Sequence, residues 1–210
     1  MLELDSQPTE DGNEDPPGES STACPTAPRL TTSSSKKKRR VIVVGDSVLR
    51  GTEGPICRRD PYHREVCCLP GARFRDIKRQ ITSLVRPSDY YPLLVIQAGN
   101  NEVVERSLKS LKKDFNALGW QIEGLGAQVV FSSIPQVKGK TTDRGWKTYL
   151  IETWLRDWCH RRNFGFFDHG EVYKAPGLLV TNETRWDAAV PEGKRILGQE
   201  LAGLIDRALN

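Results

Sequence analysis

Val41-Ile42-Val43-Val44-Gly45-Asp46-Ser47 decides the fold. Four β-branched residues in a row, with no polar alternation, describe a strand buried on both faces, which occurs in parallel sheets covered by helices. The run stops at a glycine. Outward from it, short apolar runs take turns with amphipathic stretches. Glu65-Val66-Cys67-Cys68-Leu69 is a second strand, stopped by Pro70-Gly71. Phe74, Ile77, Ile81, Leu84 and Val85 recur at helical spacing until Pro87 ends the helix. Leu93-Leu94-Val95-Ile96 is a third strand and Val129-Val130-Phe131 a fourth. Between these two, Leu108, Leu111, Phe115, Leu118, Ile122 and Leu125 step by three and four, and Gly124 and Gly126 end the helix. A helix from about Trp146 to Arg161 presents Leu150, Trp154 and Trp158 on one stripe, with Ile151 and Leu155 beside it. Phe164 to Phe167 forms a fifth strand, and Ile196, Leu197, Leu201, Leu204, Ile205 and Ala208 a last helix. These stripes are core faces rather than cofactor boxes. Strands alternating with crossover helices predict an α/β protein, a three-layer α/β/α doubly wound sheet of about five parallel strands of the flavodoxin-like kind.

Composition sets the boundaries. Residues 1–40 of the 210 hold only seven apolar side chains, no aromatic and five prolines. Such a stretch cannot bury enough surface to offset the entropy of ordering it. It is expected to be a disordered tail, leaving residues 41–210 as one domain of ordinary size. The tail carries seven acids and six bases, and five of the bases form one run, Lys36-Lys37-Lys38-Arg39-Arg40. That run reads as a solvated gatekeeper before an aggregation-prone strand, with a nuclear address or an RNA contact as alternatives. No apolar run reaches the roughly 20 residues of a membrane span, and the acidic, proline-rich start does not read as a signal peptide. Five cysteines (Cys24, Cys57, Cys67, Cys68, Cys159) are an odd number in a chain large enough to fold without disulfides, and no pair has zinc-knuckle spacing. An intracellular setting, cytoplasmic or nuclear, is expected, with neither metal nor cofactor.

In doubly wound sheets, ligands bind beyond the carboxyl ends of the strands. After the first strand comes Gly45-Asp46-Ser47, where a sharp turn can present a serine hydroxyl, although the same tripeptide also makes an ordinary turn or helix cap. After the second comes Pro70-Gly71-Ala72, where a glycine amide can approach a ligand closely. After the third comes Gly99-Asn100-Asn101-Glu102, which offers side-chain amides. A serine, a backbone amide and an asparagine amide from three neighbouring strand ends can form a nucleophile and its oxyanion hole.

From Val41 to Ala208 the chain resembles the SGNH hydrolases, also called GDSL-type esterases and lipases. Gly45-Asp46-Ser47 resembles the family's first block, and the resemblance implies that Ser47 is the nucleophile and its amide one oxyanion donor. It implies likewise that Gly71 donates its amide and Asn101 its side chain, with Glu102 standing where an aspartate is usual. The wording of Ser47-Val48-Leu49-Arg50-Gly51, Cys67-Cys68-Leu69-Pro70-Gly71-Ala72-Arg73 and Ser88-Asp89-Tyr90-Tyr91-Pro92-Leu93-Leu94 is similar to one branch. That branch is the esterase-like domain in the first open reading frame of chicken-repeat-type LINE retrotransposons.

The family's last block is Asp-x-x-His before the final helix, which supplies the base and its orienting acid. Anchored on Gly193-Lys194, the acid's position falls on Arg185 and the histidine's on Ala188. A frame using Asp187 puts Val190 at the histidine position, so neither contains a base. His169, after the fifth strand, is the one candidate substitute, but Asp168 beside it points to the opposite face of an extended segment. His63 and His160 read as solvated. The expectation is an SGNH-like domain with impaired hydrolysis, serving as a binding module for a small acyl ester or lipid-like ligand. The alternatives are a weak serine esterase of short acyl esters with another base, and a retroelement-derived protein that meets RNA through residues 36–40.

Overall fold

The computed structural model describes residues 38–135, 142–170 and 191–210. The chain divides into two units, Met1–Ser35 and Lys36–Asn210, and the described residues all belong to the second. Residues 1–37 of the expected tail, and the segment with Arg185 and Ala188, lie outside them.

Five parallel strands build the sheet: β1 (Val41–Gly45), β2 (Arg64–Cys68), β3 (Leu93–Gln97), β4 (Gln128–Ser132) and β5 (Gly165–Phe167). Their order is β2-β1-β3-β4-β5. This is the doubly wound order expected, with its reversal between β1 and β3, where ligand crevices form. The helices are α1 (Glu53–Cys57), α2 (Phe74–Leu84), α3 (Glu102–Glu105), α4 (Leu108–Ile122), α5 (Thr142–Arg161) and α6 (Pro191–Leu209).

β1 explains the layers. Its residues are all fully buried, yet they serve two cores by turns. Ile42 and Val44 join Leu94, Ile96, Val129 and Phe131 under α2, α4 and α5. Val41 and Val43 join Leu93, Val95 and Val130 under α1 and α6, against Ile56, Leu197, Leu201 and Ile205. A strand with two apolar faces makes one layer of helices insufficient. On α5 the buried stripe runs through Ile151, Leu155, Trp158 and Cys159, while Leu150 is only half-buried. The stripe is rotated from the expected one because the helix starts a turn earlier and buries Arg144 and Thr148 on the same side. Burial pushes the Cys159 thiol up to about 12, so it behaves as a small apolar side chain.

At the amino-terminal edge of the sheet, the described part of the basic run is tied down. Lys38 pairs with Asp60 (3.3 Å), and Arg39 donates to the Tyr91 carbonyl and the Gln128 side chain (both 2.8 Å). Arg40 bridges Glu65 (2.6 Å) and Asp89 (2.7 Å). These contacts hold the entry to β1 at the edge opposite the strand ends that carry Ser47 and Asn101. No helix among the described residues is long and apolar enough to cross a membrane.

Candidate active site

The register aligns three strand ends: Gly45 lies beside Cys68 on one flank and Gln97 on the other. Gly45 must lack a side chain, because a Cβ there would sit 2.3 Å from the Gln97 carbonyl oxygen. β1 and β3 therefore close up beneath the turn that follows. That turn is a single 3-10 turn, Ser47–Leu49, capped by the Asp46 carboxylate, which accepts from the Val48 amide at 3.0 Å.

Three side-chain hydrogen bonds stitch the strand-end loops together. Asn100 Nδ2 donates to Asp46 Oδ2 at 3.2 Å, joining the loop after β3 to the Ser47 turn. Asn101 Nδ2 donates to the Ala72 carbonyl at 3.2 Å, joining it to the loop after β2. Glu102 Oε1 accepts the Phe74 amide at 2.8 Å and so caps α2 from the same loop. The glutamate where an aspartate is usual thus has a structural partner across the site. Burial pushes both Asp46 and Glu102 above the usual carboxylate range, against the donors that they accept.

Ser47 is 4% exposed. Gly71 is in the left-handed region at φ +72, and among the described residues no backbone turn hydrogen bond takes its amide. Asn101 has a second amide hydrogen beyond the one given to Ala72. Two backbone amides and one side-chain amide are therefore carried on adjoining loops, the donor set that a developing oxyanion requires.

The base is another matter. The chain has three histidines, and all three lie among the described residues. His63 Nδ1 pairs with Asp60 Oδ1 at 2.8 Å, before β2. His160 is exposed at the end of α5. His169 is 3% exposed, with Nε2 2.6 Å from Ser132 Oγ and Nδ1 2.9 Å from Glu200 Oε2. Its amide donates to Ser133 Oγ at 3.0 Å. Among the described residues, no side chain hydrogen-bonds the Ser47 hydroxyl. Asp168 turns away from the imidazole to pair with Arg156 and to accept the Gly170 amide at 2.8 Å. The places of the missing acid and base, Arg185 and Ala188, fall outside the described residues.

Ser132 and Glu200 are the site residues that sequence reasoning passed over. Ser132 had a readable signal: it ends β4, with Ser133 just after it, at the same edge of the sheet as Ser47. Glu200 had less, since it flanks the buried Leu197–Leu201 stripe of α6 and reads as a surface position.

No protein-family model matches the chain, and no curated protein matches it. Solved structures do. A lipolytic protein of the G-D-S-L family from Veillonella parvula superposes with a TM-score of 0.66 at 14% identity, over 81% of this chain and all of its own. A GDSL-like lipase from Bacteroides thetaiotaomicron gives 0.64 at 14% identity, over 81% of this chain and 89% of its own. The esterase domain of the ORF1 protein of a zebrafish retrotransposon is 22% identical over 80% of this chain and 99% of its own, with a TM-score of 0.42. The strand order, the three stitched loops and the two closer superpositions agree that this chain has the SGNH, or GDSL-type, hydrolase fold.

Proposed function

We propose that the domain is an SGNH hydrolase relative that binds an ester or a lipid-like acyl ligand at Ser47 and hydrolyses it poorly or not at all. The observation that carries this reading is the disposition of the histidines: each of the three is engaged or placed elsewhere, so the Ser47 hydroxyl has no imidazole to take its proton. A serine without a base is a nearly neutral alcohol at pH 7. A positioned general base contributes roughly 10² to 10⁴ in rate, and loss of a triad member leaves about 10³ to 10⁴ over water from the oxyanion hole and binding. The retained donors at Ser47, Gly71 and Asn101 favour binding of a carbonyl or an anionic oxygen. An intracellular setting belongs to the same proposal and is supported by four free cysteines, Cys57, Cys67, Cys68 and Cys159.

The test is hydrolysis of p-nitrophenyl acetate and butyrate by the full chain, beside Ser47→Ala. The expected result is a rate indistinguishable between the two. Turnover well above background that disappears in Ser47→Ala would make the domain a working esterase with an unconventional base.

A further inference from the structure

The imidazole that Ser47 lacks is docked on another alcohol. We propose that Ser132, His169 and Glu200 form a second nucleophilic site, a self-acylating serine that takes small activated acyl or sulfonyl donors. The three residues come from β4, the end of β5 and α6, and they meet on the face of the sheet that α6 covers.

For a neutral ring beside an ionised carboxylate, the protons in this array can be assigned. An ionised carboxylate only accepts, so Glu200 Oε2 at 2.9 Å places a hydrogen on Nδ1 of His169. In the neutral ring, Nε2 is then a lone pair, and the group 2.6 Å away is the Ser132 hydroxyl, which donates to it. This is the resting arrangement of a serine–histidine–acid triad, atom for atom. Gln97 adds one feature. Its amide nitrogen donates to the Ser133 carbonyl at 3.1 Å, which turns its Oε1 toward Nε2 at 3.4 Å. That oxygen faces a lone pair at rest and an N–H once the ring has taken the serine proton. Phe167 packs edge-on against the imidazole at 5.0 Å and holds its plane.

The same geometry limits the chemistry to one turnover. The Ser133 amide, the neighbour that would stabilise an oxyanion on Ser132, is committed to the Phe167 carbonyl at 2.7 Å. Ser132 is 1% exposed, so a donor that labels it must be small. With a sulfonyl fluoride, Ser132 Oγ bonds to sulfur, its proton passes to Nε2, and fluoride departs. Ser132 and His169 are the reacting groups, and Glu200 is a positioning residue that acts through the ring.

The experiment treats the full chain with methanesulfonyl fluoride and maps the adduct by peptide mass spectrometry. The expected adduct is on Ser132, forming about 10²-fold more slowly in His169→Ala. Because that variant removes a buried ring and could fail to fold, Glu200→Gln is run beside it. Glu200→Gln is expected to slow labelling by about 10²-fold or more, a loss that a purely structural contact would not produce, and to shift the low-field Nδ1–H proton resonance of His169, which reports the contact itself. An adduct on Ser47 overturns this site and the base-free reading of Ser47 together. No adduct on either serine of the folded protein, or labelling that ignores both substitutions, overturns this site and leaves that reading standing.

Discussion

Ser47 and Ser132 end two strands of one sheet, β1 and β4, with only β3 between them. Two strand spacings of about 4.8 Å separate those strands, and the two serines have opposite endowments. On the loops that adjoin the Ser47 turn are the Gly71 amide and the Asn101 side chain, with no histidine bonded to the Ser47 alcohol. At Ser132 the alcohol meets a histidine backed by a carboxylate, while the adjacent amide is spent on the sheet. Acyl transfer needs both kinds of group at one atom, since proton removal and charge stabilisation act on the same transition state. On the reading proposed for Ser47, the difference teaches that a hydrogen-bonded Ser–His–acid chain and a set of oxyanion donors are separable parts. Neither identifies an esterase alone.

The strongest way to break the contrast is to give Ser47 a base. Arg185→Asp with Ala188→His restores the Asp-x-x-His spacing ahead of α6. Hydrolysis of p-nitrophenyl acetate is expected to rise by about tenfold or more, toward the 10² to 10⁴ that a positioned base supplies. A folded double variant with no gain would mean that the cradle at Ser47, Gly71 and Asn101 does not engage the ester. The single change Ala188→His separates the contributions, since without the aspartate the ring's tautomer is not fixed.

A gentler comparison uses stability. The Ser132 hydroxyl is a partner of a buried imidazole, so Ser132→Ala leaves Nε2 without its donor. A buried polar atom left unsatisfied costs about 1–3 kcal/mol. The Ser47 hydroxyl has no hydrogen-bond partner among the described residues, and Ser47→Ala should change stability by no more than about 0.5 kcal/mol. Denaturant midpoints of the two variants measure this difference. Equal losses would mean that the Ser47 alcohol is held in the folded state after all.

Most of the architecture could be read from the chain because the signals were local. β1, β3 and the α4 stripe at Leu111, Phe115, Leu118 and Ile122 are periodic or continuous, and each is buried as its pattern demands. The short helices α1 and α3 were not legible, since four or five residues carry no period. The three site loops could be placed because a parallel sheet gathers its strand ends at one edge, so Ser47, Gly71 and Asn101 needed only their position in sequence. The Ser132–His169–Glu200 array could not be assembled that way. Its members come from three elements separated by 37 and 31 residues, and their meeting depends on how α6 lies across the sheet. Asp168, the acid beside His169 in sequence, faces Arg156, so the ring's carboxylate had to come from a distant element.

The smallest effect expected is a slope, and it belongs to the Ser47 side. Asp46 is buried beneath the serine turn, and desolvation holds its carboxyl above the ordinary range despite the Val48 amide and the Asn100 side chain. A carboxyl raised in the folded state keeps its proton at a pH where the unfolded chain has already released it. The folded state then binds more protons than the unfolded one, and stability falls as pH rises between the two values. Asp46 therefore contributes stability that grows on acidification through the interval just above the unfolded carboxylate value of about 3.9. Glu102, raised for the same reason, adds to the slope with the same sign. Asp46→Asn removes the titrating group but also the acceptor for Asn100, so its melting temperature shifts at every pH and only the slope is diagnostic. The expected outcome is a melting-temperature difference, variant minus parent, that rises with pH through that interval, with Glu102→Gln giving a rise of its own. A difference that does not change with pH in Asp46→Asn would mean that the carboxylate under the serine turn is solvated.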